Sequence, residues 1–349
     1  GSEMCIRDRS LNTLVKRLQA FPNLDVTVIN TSRKPGDIVA TLYVALRTVL
    51  VLLARGKGVD VITFHANSNA RKWLGPVICM VARILRRPLI VRAFGGTFDE
   101  QFARMPKVHQ WILRKTYLNA DICLLETRRL VNFFRGYARR VEWFPNHTHD
   151  VGLTERTPFR AQCDKFIFLS RVIRAKGVDT ILAAQPMLNR NVTIDIFGPL
   201  EGDYSADEIN RLGKGQITYR GVLSPHEVDE LLWEYDALVL PTRWDGEGYP
   251  AVILEAYAHG LPVITTRWQS IPEIVDADCG ILIEPGDVQA FAEAVNRLHT
   301  DCTLYAHLQR GARERAKMFP EEYWVERFLR ICCEVTKRDY NLLVGGPAG

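Results

Sequence analysis

Short apolar runs bounded by turn residues recur along the chain. LDVTVIN (24–30), VDVITFHA (59–66), RPLIVRAF (87–94) and DICLLE (121–126) read as buried strands. Amphipathic stretches such as LNTLVKRLQAF (11–21) and WLGPVICMVARILR (73–86) lie between them and read as helices. The same rhythm restarts at KFIFLSR (165–171) and continues through NVTIDIFG (191–198), QITYRG (216–221), DALVLPT (236–242) and LPVITT (261–266). Continuous apolar runs alternating with helices imply parallel sheets covered on both faces. Two such series predict an α/β protein of two doubly wound, Rossmann-like domains.

The seam is WFPNHTHDVGLTERTPF (143–159), which is polar, turn-rich and without apolar periodicity. The expected division is therefore 1–150, 151–318, and a terminal stretch 319–349. Within that stretch PEEYWVERFLRICCEVTKR (320–338) opens with a proline–acid helix start. It is either a simple terminal helix or one that returns to the first domain. The length of 349 residues suits two domains. DIVATLYVALRTVLVLLARGKG (37–58) is the most apolar stretch, but Arg47 interrupts it and it falls short of the roughly 20 apolar residues of a membrane span. A buried or interfacial helix is expected there. The opening GSEMCIRDRS fits no element, and EMCIRDR resembles translated sequencing-adapter read-through, so the native start is expected to be missing.

Charge changes this picture more than composition does. Residues 1–150 carry 24 Lys and Arg against 11 Asp and Glu, and the remainder carries 21 against 29. A basic first half suits an anionic partner, although basic helices that are merely solvated give the same count. The eight cysteines are scattered with no CxxC or His/Cys ligand spacing, which argues against a zinc site or disulfide framework and for a reducing compartment.

Open parallel sheets take ligands at the carboxyl ends of their strands. After the first strand of the second half, Arg171 and Lys176 sit with Gly177 ahead of a helix, an arrangement that suits a diphosphate; a solvated basic loop is the plainer reading. Gly198 follows the next strand and permits close backbone approach, and Gly221-Val222 could border a flat base. In DGEGYPAVILEAYAHGLPV (245–263), Pro250 reads as a first helical position, with Glu247 in the loop before it and Glu255 inside the helix. Those carboxylates are on the order of 10 Å apart, with a helix N-terminus between them. Retaining glycosidases hold theirs about 5.5 Å apart. A ligand with hydroxyls at both ends and phosphate in the middle, such as a sugar nucleotide, fits better, although a loop charge and a solvated helix position also explain the pair.

Here the sequence resembles family 4 glycosyltransferases, which have the two-domain GT-B fold and a glutamate–seven residues–glutamate motif matched by Glu247 and Glu255. FLSRVIRAKGVDTILAA (168–184) looks like their phosphate-binding turn, SIPEIVDADCGILIEPGDVQAFAEAVNRL (270–298) like the segment after the motif, and WFPN (143–146) like their interdomain signature. The match is strong over roughly 140–300 and looser over 20–140. The resemblance implies two Rossmann-like domains facing a cleft, with the last helix crossing back to the first domain. It also implies a retaining, metal-independent hexosyltransferase-like enzyme that takes a UDP- or GDP-sugar to a glycan or lipid-linked acceptor in cell-surface polysaccharide synthesis. Arg171 and Lys176 would hold the diphosphate, Glu255 the ribose, and Glu247 the transferred sugar. The backbone of Gly248, Tyr249, Pro250 and Ala251 would hold sugar and phosphate, and Gly198, Gly221 and Val222 would line the nucleotide. No cofactor, metal or nucleic acid is expected. The protein would be cytoplasmic and peripheral to an anionic membrane face.

Two departures stand out. Many members carry a histidine before a glycine pair after a first-domain strand; here RAFGGTFDE (92–100) has Phe94 at that place, with Gly95 and Gly96 kept. His65, at the end of another strand, could line the same acceptor and sugar cleft or be structural. Family members also open with a strand and glycine-rich turn that is not recognisable here. A degenerate subunit that only binds a sugar nucleotide or a partner enzyme is therefore the alternative. A phosphorylase would need a pyridoxal-phosphate lysine site, to which nothing points. Trp324 and Trp233 are expected in the core, Cys332-Cys333 as inert, and His147 and His149 as exposed loop residues.

Overall fold

The computed structural model describes residues 6–31, 38–149, 151–152 and 159–344; the first five residues of the opening GSEMCIRDRS and part of the expected seam lie outside these residues, while Ile6–Ser10, expected to fit no element, begin the helix Ile6–Gln19. The fold is α/β with parallel sheets throughout. The chain divides into two compact units, one built on Asn146–Glu322, the other on Leu11–Pro145 together with the terminal segment from Tyr323.

In the Leu11–Pro145 unit, strands β1 (Ile62–Ala66), β2 (Leu89–Ala93), β3 (Ile122–Leu125) and β4 (Val141–Trp143) pair in that order. The strands are parallel, and each pair is joined through helices. One sheet face packs on a core that includes Ile78, Phe98, Tyr117 and Phe134. The other face packs on Leu14 and Leu18 of the helix Ile6–Gln19 and on Trp324, Val325, Phe328 and Leu329 of the helix Glu321–Thr336. The terminal helix thus covers the sheet of the first half, as expected. Its Trp324 is buried, with Trp143 and Phe144 edge-on at 5.1 and 5.4 Å.

In the Asn146–Glu322 unit, β5 (Lys165–Leu169), β6 (Thr193–Phe197), β7 (Ile217–Gly221), β8 (Ala237–Leu240), β9 (Val263–Thr266) and β10 (Gly280–Ile283) form a six-stranded sheet. Its order is β10-β9-β8-β5-β6-β7. Read from the β7 edge this is the 3-2-1-4-5-6 order of dinucleotide-binding folds, with the switch point between β5 and β8.

Several expectations are corrected. Residues 24–30 are not assigned as a strand: Leu24 and Val26 lean on the core, and among the described residues the segment joins no sheet. The apolar stretch after residue 37 forms the helix Ile38–Arg55; of the two alternatives, buried or interfacial, the exposure of Leu42, Leu46 and Leu50 excludes only the fully buried one. Trp233 ends the helix Pro225–Leu232 and is 40% exposed. His147 is buried rather than exposed, and His149 is half-buried with Nε2 3.2 Å from Asp229. Among the described residues no helix is long and apolar enough to cross a membrane.

Candidate functional site

The carboxyl ends of β5 and β8 meet at the switch point, and two glycines set how closely they do so. Gly177 has φ +89°, and a Cβ there would lie 2.1 Å from the carbonyl oxygen of Pro241, just past β8. Only a glycine lets the turn after β5 run against that carbonyl. The same turn, Arg174–Lys176, delivers Lys176 across to the loop after β8. Lys176 Nζ donates to Glu247 Oε2 at 2.6 Å, and both side chains are about nine-tenths buried. Thr242 Oγ1 donates to the same carboxylate oxygen at 2.9 Å. The second close approach is Gly198, φ +137°, where a Cβ would lie 1.8 Å from Ser170 O. Gly198 N–H donates to Gly221 O at 2.8 Å, and Tyr219 Oη donates to Gly198 O at 2.9 Å. The ends of β5, β6 and β7 are thereby tied into one rim, on which Val222 is exposed.

Arg171 stands on this rim beside Trp244. Its guanidinium lies 4.4 Å over the indole, and Nη1 is 3.1 Å from Glu201. It remains partly open to solvent, whereas Lys176 is not. The helix Ala251–Ala258 begins one residue later than the sequence pattern suggests, because Pro250 has ψ 119° and occupies the N-cap. Glu255 is the fifth residue of this helix and is buried at 6% exposure. Two bonds hold the loop before it: Asn146 Nδ2 donates to Tyr249 O at 3.0 Å, and buried Tyr249 donates its hydroxyl to Glu273. The structure thus brings Arg171, Lys176 and Glu247 onto adjoining loops and places Gly198 with Gly221. Gly248 and Ala251 lie between the two glutamates in the chain, at the start of the helix.

In the other unit His65 is the last but one residue of β1 and Phe94 follows β2, with ring centroids 6.3 Å apart, and Phe328 lies 5.8 Å from His65. Burial, and then the Arg92 charge, push the His65 pKa down to about 3, so the imidazole is neutral at pH 7. Gly95 has φ +93°, and its N–H donates to Glu126 at 2.9 Å; Gly96 is buried beside it. Sequence reasoning missed Glu126 and Arg92. Arg92 is 1% exposed, donates to Pro145 O at 3.1 Å and lies 4.6 Å over the rings of both Phe94 and Phe144. The signal was a charged residue inside an apolar strand run, which a buried parallel strand tolerates only with partners. Among the described residues no group of three or more His, Cys, Asp or Glu side chains is placed to hold a metal ion.

Residues 163–301, which include the whole switch-point rim, match the family described as Glycosyl transferases group 1. The capsular polysaccharide biosynthesis glycosyltransferase CapM of Staphylococcus aureus is 29% identical over 162 residues, 44% of this chain and 42% of that protein. The putative colanic acid biosynthesis glycosyltransferase WcaL of Escherichia coli K12 is 38% identical over 105 residues, 28% of this chain and 25% of that protein. The matched stretches thus span less than half of these relatives. Among solved structures, HepE of Anabaena in complex with UDP superposes with a TM-score of 0.68 at 17% identity, covering 84% of this chain and 82% of that one. The fold class is that of the GT-B glycosyltransferases.

Proposed function

We propose that the protein is a retaining, metal-independent glycosyltransferase of polysaccharide synthesis, moving a sugar from a nucleotide donor to a glycan or lipid-linked acceptor. The observation that carries this reading is the placement of Arg171, Lys176 and Glu247 on the loops that meet at the switch point, within the segment similar to glycosyl transferases. In this reading the Asn146–Glu322 unit is the donor side and the Leu11–Pro145 unit the acceptor side, with 319–349 returning to it. A cytoplasmic position at the inner membrane face accompanies the reading.

Each residue has a task that its surroundings suit. Arg171, partly exposed and steadied by Trp244, offers a forked donor to the diphosphate. Lys176 supplies a second positive charge, and the start of the helix Ala251–Ala258 adds its dipole. Glu247, held by Lys176 and Thr242, accepts from sugar hydroxyls, and Glu255 accepts from the ribose. Gly198, Gly221 and Val222 leave room for a base. During transfer the bond from the anomeric carbon to the diphosphate oxygen breaks with oxocarbenium character. The acceptor oxygen attacks from the same face, and its proton passes to the departing phosphate oxygen. Preorganised positive charge around that phosphate lowers the barrier. HepE, a solved neighbour, is in complex with UDP, which favours testing UDP-sugars before GDP-sugars.

The test is thermal melting with UDP, GDP and ADP, then transfer from the matching radiolabelled sugar nucleotide. A ligand at about 100 times its Kd stabilises by roughly 2.7 kcal/mol. A shift with one nucleotide that Arg171→Ala abolishes, together with transfer in which the anomeric configuration is kept, is expected. A nucleotide shift without transfer would favour the degenerate subunit, a reading supported by Phe94. No shift from folded protein overturns the donor site.

A further inference from the structure

Three neighbouring helices of the Leu11–Pro145 unit leave an apolar surface uncovered. On Ile38–Arg55, Leu42, Leu46, Leu50 and Leu53 follow one another at helical spacing and are all exposed, with Tyr43 beside them. On Ser68–Ile84, Trp73, Val77, Met80 and Ile84 form a second stripe at i, i+4, i+7 and i+11. On Lys107–Lys115, Val108 and Trp111 form a third. The first two helices pack on each other. The second and third are joined where Trp73 meets His109 edge-on at 5.7 Å and Arg83 donates to Lys115 O at 2.7 Å. Eleven of the twenty large exposed apolar side chains among the described residues therefore lie on one helical layer. Scattered exposure needs no explanation, but such concentration marks an interaction surface.

The charges say which kind. The three helices contain eight Lys and Arg and not one Asp or Glu. Seven of the eight are at the surface, since only Arg71 is buried. Arg47 borders the leucine stripe, and Lys72 lies 5.3 Å over the ring of Trp73. Apolar stripes flanked by cations, with tryptophans among them, match the depth profile of a lipid headgroup region. A second copy of the chain fits poorly, because two such faces would set like charges against each other.

We propose that the helices Ile38–Arg55, Ser68–Ile84 and Lys107–Lys115 form a docking surface for an anionic lipid bilayer. The apolar stripes enter the acyl boundary, while Arg47, Arg55, Lys72 and Lys115 meet headgroup phosphates. The surface gives a location to the membrane-side placement in the proposed function and rests on that part of the reading. Its test uses no catalysis, so failure of docking and failure of the donor site read out separately.

The experiment is co-sedimentation of the full chain with vesicles of phosphatidylcholine alone and with about a third phosphatidylglycerol. Binding to the anionic vesicles only, weakened by salt, is expected. The pair Leu46→Glu and Leu50→Glu should reduce the partition coefficient by at least about tenfold at unchanged melting temperature. Arg47→Ala with Arg55→Ala should cost about fivefold per charge. These positions are exposed, so the variants are expected to fold; Trp73→Glu provides an independent check on the neighbouring helix. Equal binding by wild type and the leucine and tryptophan variants would overturn the assigned surface. No binding to either vesicle would overturn the lipid, as would self-association in ultracentrifugation that the same substitutions abolish without vesicle binding. A UDP or GDP melting shift that persists in the leucine variant would show that the donor site is intact whichever way docking falls.

Discussion

Lys176 Nζ and Glu247 Oε2 lie 2.6 Å apart across the switch point of the six-stranded sheet, and both side chains are almost fully withdrawn from water. The pair joins the loop after β5 to the loop after β8, so one contact fixes two candidate ligand-binding loops. A buried pair of this kind contributes little net stability against an apolar pair, yet breaking it by removing one partner is expensive.

Lys176→Met should therefore destabilise the unit by about 3–5 kcal/mol, leaving the Glu247 carboxylate buried against the Thr242 hydroxyl without its cation. Lys176→Met combined with Glu247→Leu should recover a large part of that loss. Urea unfolding of the wild type, both single variants and the double variant supplies the cycle. Additive losses would mean that the two groups do not interact in solution.

The glycine rim gives a second expectation. Gly198→Ala and Gly177→Ala each place a Cβ within about 2 Å of a carbonyl oxygen at positive φ. Each should cost more than about 2 kcal/mol, because strain and collision act together. Gly202→Ala also has positive φ, +85°, but no atom lies within 4 Å of its Cβ position. It should cost only the left-handed penalty of about 1 kcal/mol. Comparable melting shifts for Gly198→Ala and Gly202→Ala would show that the loop relaxes away from Ser170.

Trp324 tests the terminal helix. Its indole is 4% exposed and meets Trp143 and Phe144 edge-on. Trp324→Ala should cost about 3–5 kcal/mol, read in the unfolding transition of the Leu11–Pro145 unit. Tyr323→Ala, one residue earlier and 56% exposed, should cost under about 1 kcal/mol. Similar effects from the two would mean that the helix is docked on a different face.

The parts legible in the sequence are those fixed by local pattern. Phe166–Leu169 and Leu238–Leu240 had to be buried parallel strands, and topology then placed Arg171 and Glu247 on neighbouring loops. The illegible parts depend on partners distant in sequence. Leu24–Asn30 has strand-like alternation but is assigned to no sheet among the described residues, whereas β4 and β10 are three and four residues long and are strands because a neighbour accepts them. Trp233 and Trp324 look alike in local pattern, yet one ends a short helix half open to solvent and the other is buried against Trp143 and Phe144. The leucines of Ile38–Arg55 were visibly apolar, but hydropathy does not record whether the protein covers them.

His65 carries the pH dependence. Its folded pKa is pushed down to about 3, first by burial and then by Arg92, against an ordinary value of 6.5. Between those values the unfolded chain holds the proton and the folded protein does not, so stability rises with pH across the window. The contribution is complete above pH 6.5 and is lost as pH falls toward 3, at up to about 1.4 kcal/mol per pH unit. Burial also lowers the His259 pKa, so that residue adds a slope of the same sign. The informative quantity is therefore the difference between the wild type and His65→Asn, which cannot take the proton. Referenced to pH 7.5, the wild type should lose about 2 kcal/mol more than the variant by pH 5, read from urea midpoints at intervening pH values. Parallel pH profiles would place His65 in water. In that case the tilted rings of Phe94 and Phe328 about it would be open enough for the imidazole to charge on the folded protein.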